Sequence, residues 1–304
     1  MISDATAPQK ILAFGLGSMG LGIATSAVRA GHLVWGIDID PAQIEKFRSE
    51  GGQASNAQHN AATADAVIVS VLNAAQTEEV LFGEHGIVAK MKTDAVVISC
   101  ATVPPAFARD MAARCEDYGV HYLDAPISGG SKKAALGQLT IMAAGSPAAF
   151  AASRATLDSI AETVFELGNK VGAGSAMKAV NQLLAGVHIA TMAEAVAFGM
   201  TQGISPETFV KVIPKCAGSS WMLENRAPHI VAGDYTPHSS VNIWPKDLGI
   251  VLDIAQSAEF GVPMTTAALK QFVAAAAMGL GREDDAAVAK VYAKNAGLKL
   301  PGVE

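Results

Sequence analysis

The sequence predicts an α/β domain built on a doubly wound, mostly parallel sheet over residues 1–171, followed by an all-helical domain over residues 172–304. A long helix over residues 172–202 joins them. Two patterns carry this. Through the first half, short apolar runs alternate with helical stretches, and such βαβ repetition builds a parallel sheet. From Gly172 onward the pattern is helical to the end. The length agrees, because single cores stop growing near ~250 to 300 residues and the chain has 304.

The elements follow in order. Lys10 to Phe14 is a short apolar run that ends in Gly15-Leu16-Gly17-Ser18-Met19-Gly20, after which Gly22 to Ala30 continues as a helix. Leu33 to Ile37 is a second strand with Asp38 at its end, 23 residues after Gly15. A glycine triplet alone is weak, but a strand before it, a helix after it and an acid at this distance form the dinucleotide fingerprint of a Rossmann domain. Gly15 permits the tight turn, Gly17 lets the backbone approach a pyrophosphate, and Gly20 lets helix and strand pack closely. The residues from Leu16 to Met19 then lead into a helix N-terminus that faces phosphates. Asp38 suits adenosine ribose hydroxyls and repels a 2'-phosphate, and Ile39, Asp40 and Pro41 offer no arginine to bind one. NAD is therefore expected rather than NADP. A turn acid before Pro41 is the plainer reading of Asp38.

The alternation continues with Ala66 to Val71, Gln76 to Phe82, Ala95 to Ser99 and Pro104 to Tyr118. Residues just past strand ends line the crevice of such a sheet, which makes Leu72, Asn73 and Thr102 cofactor candidates. Asn73 and Thr102 equally suit helix caps. After a strand at Val120 to Leu123 comes Asp124-Ala125-Pro126-Ile127-Ser128-Gly129-Gly130. Ser128 with the amides of Gly129 and Gly130 can hold a carboxylate, or the segment is an ordinary turn before the helix Ser131 to Leu136. Strands at Leu139 to Ala144 and Thr163 to Leu167 complete the first half.

The joining helix opens at Gly172 and Gly174 and is closed by Gly203 and Pro206. Lys178, Asn181 and Gln182 are three and four residues apart and project from one face of an otherwise apolar helix. The bland reading of Lys178 is a helix-end lysine whose ammonium reaches solvent. Further helices are expected at Pro206 to Lys215, Lys246 to Glu259, Thr265 to Gly279 and Asp284 to Ala293, with Ala217 to Arg226 as a connecting stretch.

Bulk properties narrow the function classes. The chain is 50% hydrophobic and 16% charged with net charge -6, so it presents no basic field for nucleic acid. Three cysteines form no close pair and the seven histidines lack ligand spacing, so neither disulfide nor metal is expected and a reducing cytoplasm fits. MISDATAPQK has no apolar core and is not a signal peptide, and every long apolar run is broken by Lys, Gln, His or Glu, so no membrane span is expected. The alanine-rich stretch Phe272 to Met278 suggests a face buried against another subunit in a homodimer or homotetramer.

Gly15 to Gly20, Asp124 to Gly130, Gly172-x-Gly174-x-x-x-Lys178-x-x-Asn181 and Lys246-Asp247-Leu248 resemble, in order and spacing, the motifs of the β-hydroxyacid dehydrogenases. The resemblance covers essentially the whole chain. It implies NAD-dependent oxidation of a short hydroxy acid, with Lys178 as catalytic acid/base and Asn181 as a substrate ligand. It also implies Ser128 to Gly130 as the carboxylate cradle, Thr102 bordering the nicotinamide and Lys246 near nicotinamide and substrate. Ala101 departs from the serine common at that position. Stretches at 71–76, 182–190, 220–226, 233–239 and 282–286 are similar to a narrower group in the family that acts on a sugar acid. On that resemblance Gln182, His188, Trp221 and Asn225 become candidates to bind substrate hydroxyls. The chemistry gives Lys178 a reason for its place, since a base must accept the hydroxyl proton as hydride leaves carbon.

Overall fold

The computed structural model describes residues 7–54 and 57–303. The first six residues, on which part of the signal-peptide reading falls, lie outside the described residues. In the first half the order is β1 (Lys10–Phe14), α1 (Gly20–Arg29), β2 (Leu33–Ile37), α2 (Pro41–Ser49), β3 (Gln53–Ala54), α3 (Ala57–Ala61), β4 (Ala66–Val69), α4 (Ala74–Phe82), β5 (Val96–Ser99), α5 (Pro105–Glu116) and β6 (His121–Asp124). These six strands form one parallel sheet in the order β3-β2-β1-β4-β5-β6. A small second sheet comprises β7 (Ile127–Ser128), β8 (Leu139–Ala143) and β9 (Ala161–Glu166), with α6 (Gly130–Leu136) and α7 (Pro147–Ile160) between them.

The doubly wound sheet follows from strands that are apolar on both sides. Ile11, Ala13, Ile68, Val96 and Ile98 join one core with Ile23, Ala24 and Ala27 of α1. Leu12, Phe14, Val67, Val69 and Val97 join a second with Leu81 of α4 and Met111 of α5. Successive residues of one strand point to opposite faces, so a continuous apolar run fills both layers.

After α8 (Ala173–Thr201) the chain is helical: α9 (Pro206–Val212), α10 (Trp221–Ala232), α11 (Ile243–Ser257), α12 (Pro263–Ala275) and α13 (Ala289–Asn295). Ile189, Met192, Ala193 and Val196 of α8 share a core with Leu223 and Ile230 of α10, Leu248 of α11 and Phe272 of α12. The rings of Trp244 and Phe272 stack with centroids 5.4 Å apart. The two compact units divide at Lys178 and Ala179, inside α8, so the first turns of that helix belong with the sheet.

One sequence expectation is corrected. Ala217 to Arg226 does not simply connect helices, because Trp221 opens the 12-residue α10. Ser220 caps that helix by accepting from Leu223 N–H at 3.1 Å, and Gly233 closes it at φ +63°. Pro228 inside the helix hides it from pattern reading. In the stretch Phe272 to Met278, Phe272 and Ala275 are wholly buried in their own unit, while Val273 and Met278 are 51% and 37% exposed. By length and composition alone α8 is long and apolar enough to cross a bilayer, despite its polar interruptions. Of its most apolar window 44% is buried inside the protein, and Lys178 and Gln182 are buried polar groups on it.

Candidate functional site

In the first unit the site is built on the carboxyl ends of β1, β4, β5 and β6. The sheet order changes direction between β1 and β4, and loops leaving the sheet on either side of such a point frame a ligand crevice. The three glycines of the first loop are required for different reasons. Gly15 has φ +83° and a side chain there would meet Ser70 O at 2.6 Å. A Cβ on Gly20 would lie 1.8 Å from Gly15 O, so only glycine lets α1 start against the turn. A Cβ on Gly17 would meet no protein atom within 4 Å, which leaves that glycine without a packing reason and fits backbone approach by a phosphate. Ser18 is exposed and Met19 half-buried beside it.

Asp38 stands just past β2, where its Oδ2 accepts from Leu16 N–H at 2.6 Å and its Oδ1 from Asp40 N–H at 2.8 Å. The carboxylate is thereby tied to the glycine loop. Leu72 is 54% exposed at the end of β4, and Asn73 beside it caps α4 by accepting from Gln76 N–H at 2.9 Å. Thr102 is half-buried past β5.

The segment after β6 organises the start of α8. Asp124 Oδ2 accepts from the N–H groups of Gly172 and Ser175, each at 2.9 Å, and Oδ1 accepts from Ser175 Oγ at 2.6 Å. Burial raises the Asp124 carboxyl above its ordinary range, against the opposing pull of those hydrogen bonds. Gly172 has φ +99°, and a Cβ on Gly174 would lie 2.4 Å from Met142 O and 2.6 Å from Asp124 O. The helix therefore starts pressed onto the ends of β6 and β8. One turn later Lys178, 8% exposed, donates from Nζ to Ile127 O at 2.8 Å. The backbone places this ammonium next to Ser128, which pairs with Thr140 in the second sheet. Gly129 and Gly130 follow at φ +132° and +76°, conformations that side chains oppose.

In the second unit, Asn181 Nδ2 donates to Gln182 Oε1 at 2.9 Å, and Gln182 Nε2 donates to Asp247 Oδ2 at 2.5 Å. Asp247, buried on α11, also lies 2.6 Å from Lys246 Nζ through its Oδ1. Asn181, Gln182 and Lys246 are thus brought together through an acid that sequence reasoning left without a role. His188 is half-buried farther along α8. Trp221 and Asn225 lie on α10, where Trp221 is 58% exposed and Asn225 Oδ1 accepts from the neighbouring Arg226. Asp124 was also missed as a determinant of the site. Its signal was its place at the head of the Ser128 motif, 48 residues before the helix it caps.

Sequence spacing equally hid a cluster in which ligand atoms of His229, His238 and Asp284 lie within 4.8 Å of one another. Asp284 Oδ1 pairs with His229 Nδ1 at 3.0 Å and accepts from Ala286 N–H at 3.1 Å, while Oδ2 accepts from His238 N–H at 2.9 Å. Next to it Asp285 bonds Arg226 at 2.6 Å and Trp244 Nε1 at 3.0 Å, and burial pushes its carboxyl up to about 6. These bonds tie α10 and α11 to the turn before α13.

A doubly wound sheet with this glycine loop, an acid past β2 and a buried lysine at the Ser128 loop defines an NAD-dependent dehydrogenase. The family profile for the NAD-binding domain of 6-phosphogluconate dehydrogenase matches residues 10–168. The profile for the NAD-binding domain of NADP-dependent 3-hydroxyisobutyrate dehydrogenase matches residues 172–292. L-threonate dehydrogenase from Cupriavidus necator is 46% identical over 289 residues, 95% of this chain and 96% of that protein. The enzyme of the same name from Escherichia coli K12 is 44% identical over 292 residues, 95% and 96% of the two chains. The crystal structure of 3-hydroxyisobutyrate dehydrogenase from Salmonella typhimurium superposes with a TM-score of 0.88 at 44% identity, covering 93% of this chain and 99% of that one. The chain belongs to the β-hydroxyacid dehydrogenase family, and its cofactor is NAD.

Proposed function

We propose that this protein oxidises the C2 hydroxyl of L-threonate to the 2-oxo acid, with Lys178 as general acid/base. One observation carries the mechanism: a buried lysine ammonium is anchored 2.8 Å from Ile127 O, at the edge of the Ser128 loop, in the unit that holds the nucleotide turn. The substrate rests on five relatives named L-threonate dehydrogenase at 42–46% identity.

NAD supplies the hydride acceptor. The protein supplies the rest. Neutral Lys178 accepts the hydroxyl proton, and in the reverse direction its ammonium returns the proton and stabilises developing alkoxide charge. Ser128 Oγ and the N–H groups of Gly129 and Gly130 hold the substrate carboxylate. The family likeness gives Asn181 the role of a substrate ligand, Lys246 that of a residue near nicotinamide and substrate, and Thr102 a place bordering the nicotinamide, while Leu72 and Asn73 serve the dinucleotide. His188, Trp221 and Asn225 serve the remaining hydroxyls of a polyol acid. A homodimer or homotetramer working in the cytoplasm completes this reading.

A second substrate, 3-hydroxyisobutyrate, is favoured by the name of the Salmonella typhimurium structure. A screen of NADH formation over the stereoisomers of four-carbon sugar acids and 3-hydroxyisobutyrate separates the two. L-threonate is expected to give the highest kcat/KM. A lead for 3-hydroxyisobutyrate over every sugar acid would replace the substrate assignment.

A further inference from the structure

We infer that Gln182 and Asp247 form a positioning pair, which sets Asn181 and Lys246 in place rather than touching substrate. The inference rests on the proposed roles of Asn181 and Lys246. Its physical basis is the hydrogen-bond count on Gln182. The side chain is 7% exposed, its Oε1 is taken by Asn181 Nδ2 at 2.9 Å, and its Nε2 is taken by Asp247 Oδ2 at 2.5 Å. An amide engaged at both ends in a buried setting is a relay between its partners. Asp247 is 3% exposed and receives Gln182 on one oxygen while facing Lys246 Nζ at 2.6 Å with the other. A buried carboxylate needs such partners, because an uncompensated charge in that position is costly. The chain of contacts Asn181–Gln182–Asp247–Lys246 therefore joins two residues that lie 65 positions apart.

The local packing keeps this chain in register. Gly186, one turn beyond Gln182 on α8, would place a Cβ 2.8 Å from Leu248 Cδ2 and 3.0 Å from Trp244 Cε3. The close contact of α8 with α11 at that glycine brings the Gln182 amide within reach of Asp247. The dipeptide Lys246-Asp247 thus divides its work. The lysine keeps its proposed role, and the acid pairs with it and with Gln182 of the neighbouring helix.

The test combines two variants that conserve volume, Gln182→Met and Asp247→Asn. In each, melting temperature checks the fold. The rate at which an amine-directed reagent labels Lys246, read by peptide mass spectrometry, reports its restraint without requiring turnover. Asp247→Asn is expected to raise that rate several-fold, and an unchanged rate overturns the pair. With L-threonate, each single variant is expected to lower kcat/KM about 100-fold, the scale of a group displaced by about 1 Å. In the Asp247→Asn background, Gln182→Met should add no more than roughly twofold, because groups acting through one network are not additive. Additive losses would make Gln182 a direct substrate ligand and overturn its positioning role. If the wild type oxidises no hydroxy acid, the functional reading fails alone, since the labelling rates still decide the pair.

Discussion

At the scale of single residues, Lys178 carries the proposed chemistry and Asp124 carries the geometry that puts it there. Lys178→Met keeps the length of the side chain and removes its proton. It is expected to lower kcat by about 10² to 10⁴, the usual contribution of a general acid/base, with NADH affinity kept by the separate glycine loop. Residual turnover near the wild-type rate would remove Lys178 from the mechanism. Asp124→Asn tests the anchor. An amide can keep one oxygen for the two N–H groups but puts a donor where the Ser175 hydroxyl now donates and removes the charge from all three bonds, so a loss of about 1–3 kcal/mol at neutral pH is expected from urea unfolding. The pH dependence has a definite sign. Burial raises the folded pKa of Asp124, so between the ordinary carboxylate value of about 3.9 and that higher value the native state holds a proton that the unfolded chain has released. Stability due to this group therefore falls as pH rises through the window and is constant above it. Asp124→Asn should lack that fall, and a parallel pH profile for the two proteins would contradict it. Both lysine and acid stand in motifs legible in the sequence, but only the lysine could be given a job there. The partners of Asp124 lie 48 and 51 residues away, and no local period links them.

At the scale of elements, the β1–α1 loop separates a folding requirement from a binding one within six residues. A methyl group at Gly20 collides with Gly15 O, whereas one at Gly17 meets open space, and Gly17 does not need a positive φ. Gly20→Ala is expected to cost about 1–3 kcal/mol, as overpacking does. Gly17→Ala should leave the melting temperature nearly unchanged while weakening NAD binding about tenfold or more, a change of about 1.4 kcal/mol. Calorimetric melting and NAD titration of both variants check the pair, and a Gly17→Ala protein that binds NAD as tightly as the wild type would break the assignment. This loop was readable because its strand, turn and helix are contiguous. The strands were readable because burial on both faces makes them unbroken apolar runs. What was not readable had weak or contradictory local signals. The excursion through α2, β3 and α3 is short, with a two-residue strand at the sheet edge. In α10, Pro228 interrupts the helical pattern although packing of Met222, Leu223, Ala227 and Ile230 into the core holds the helix. Asp247 escaped for the same reason as Asp124, since its helix partner Gln182 is 65 residues distant.

At the scale of the whole molecule, the proposed assembly depends on apolar surface that the chain does not bury for itself. In the candidate from the sequence, Phe272 to Met278, Phe272 and Ala275 are taken by the helical core while Val273 and Met278 stay exposed. The structure exposes a different set along α8, with Val180, Leu184 and Phe198 at 55%, 49% and 66% exposure. Their spacing of four and fourteen residues sets them along one side of the helix. Exposed apolar side chains marking one helix face point to association in proteins that otherwise cover their hydrophobic groups, and a two-fold pairing of one surface with its copy is the commonest solution. The protein is therefore expected to sediment at two or four times its chain mass. Leu184→Glu places a charge in the middle of the stripe, where burial without a partner is costly, and should shift the mass toward one chain while the melting transition persists. Light scattering coupled to gel filtration reads both proteins. A wild type with the mass of a single chain would end the oligomer proposal, and an unchanged oligomer in Leu184→Glu would move the interface off α8.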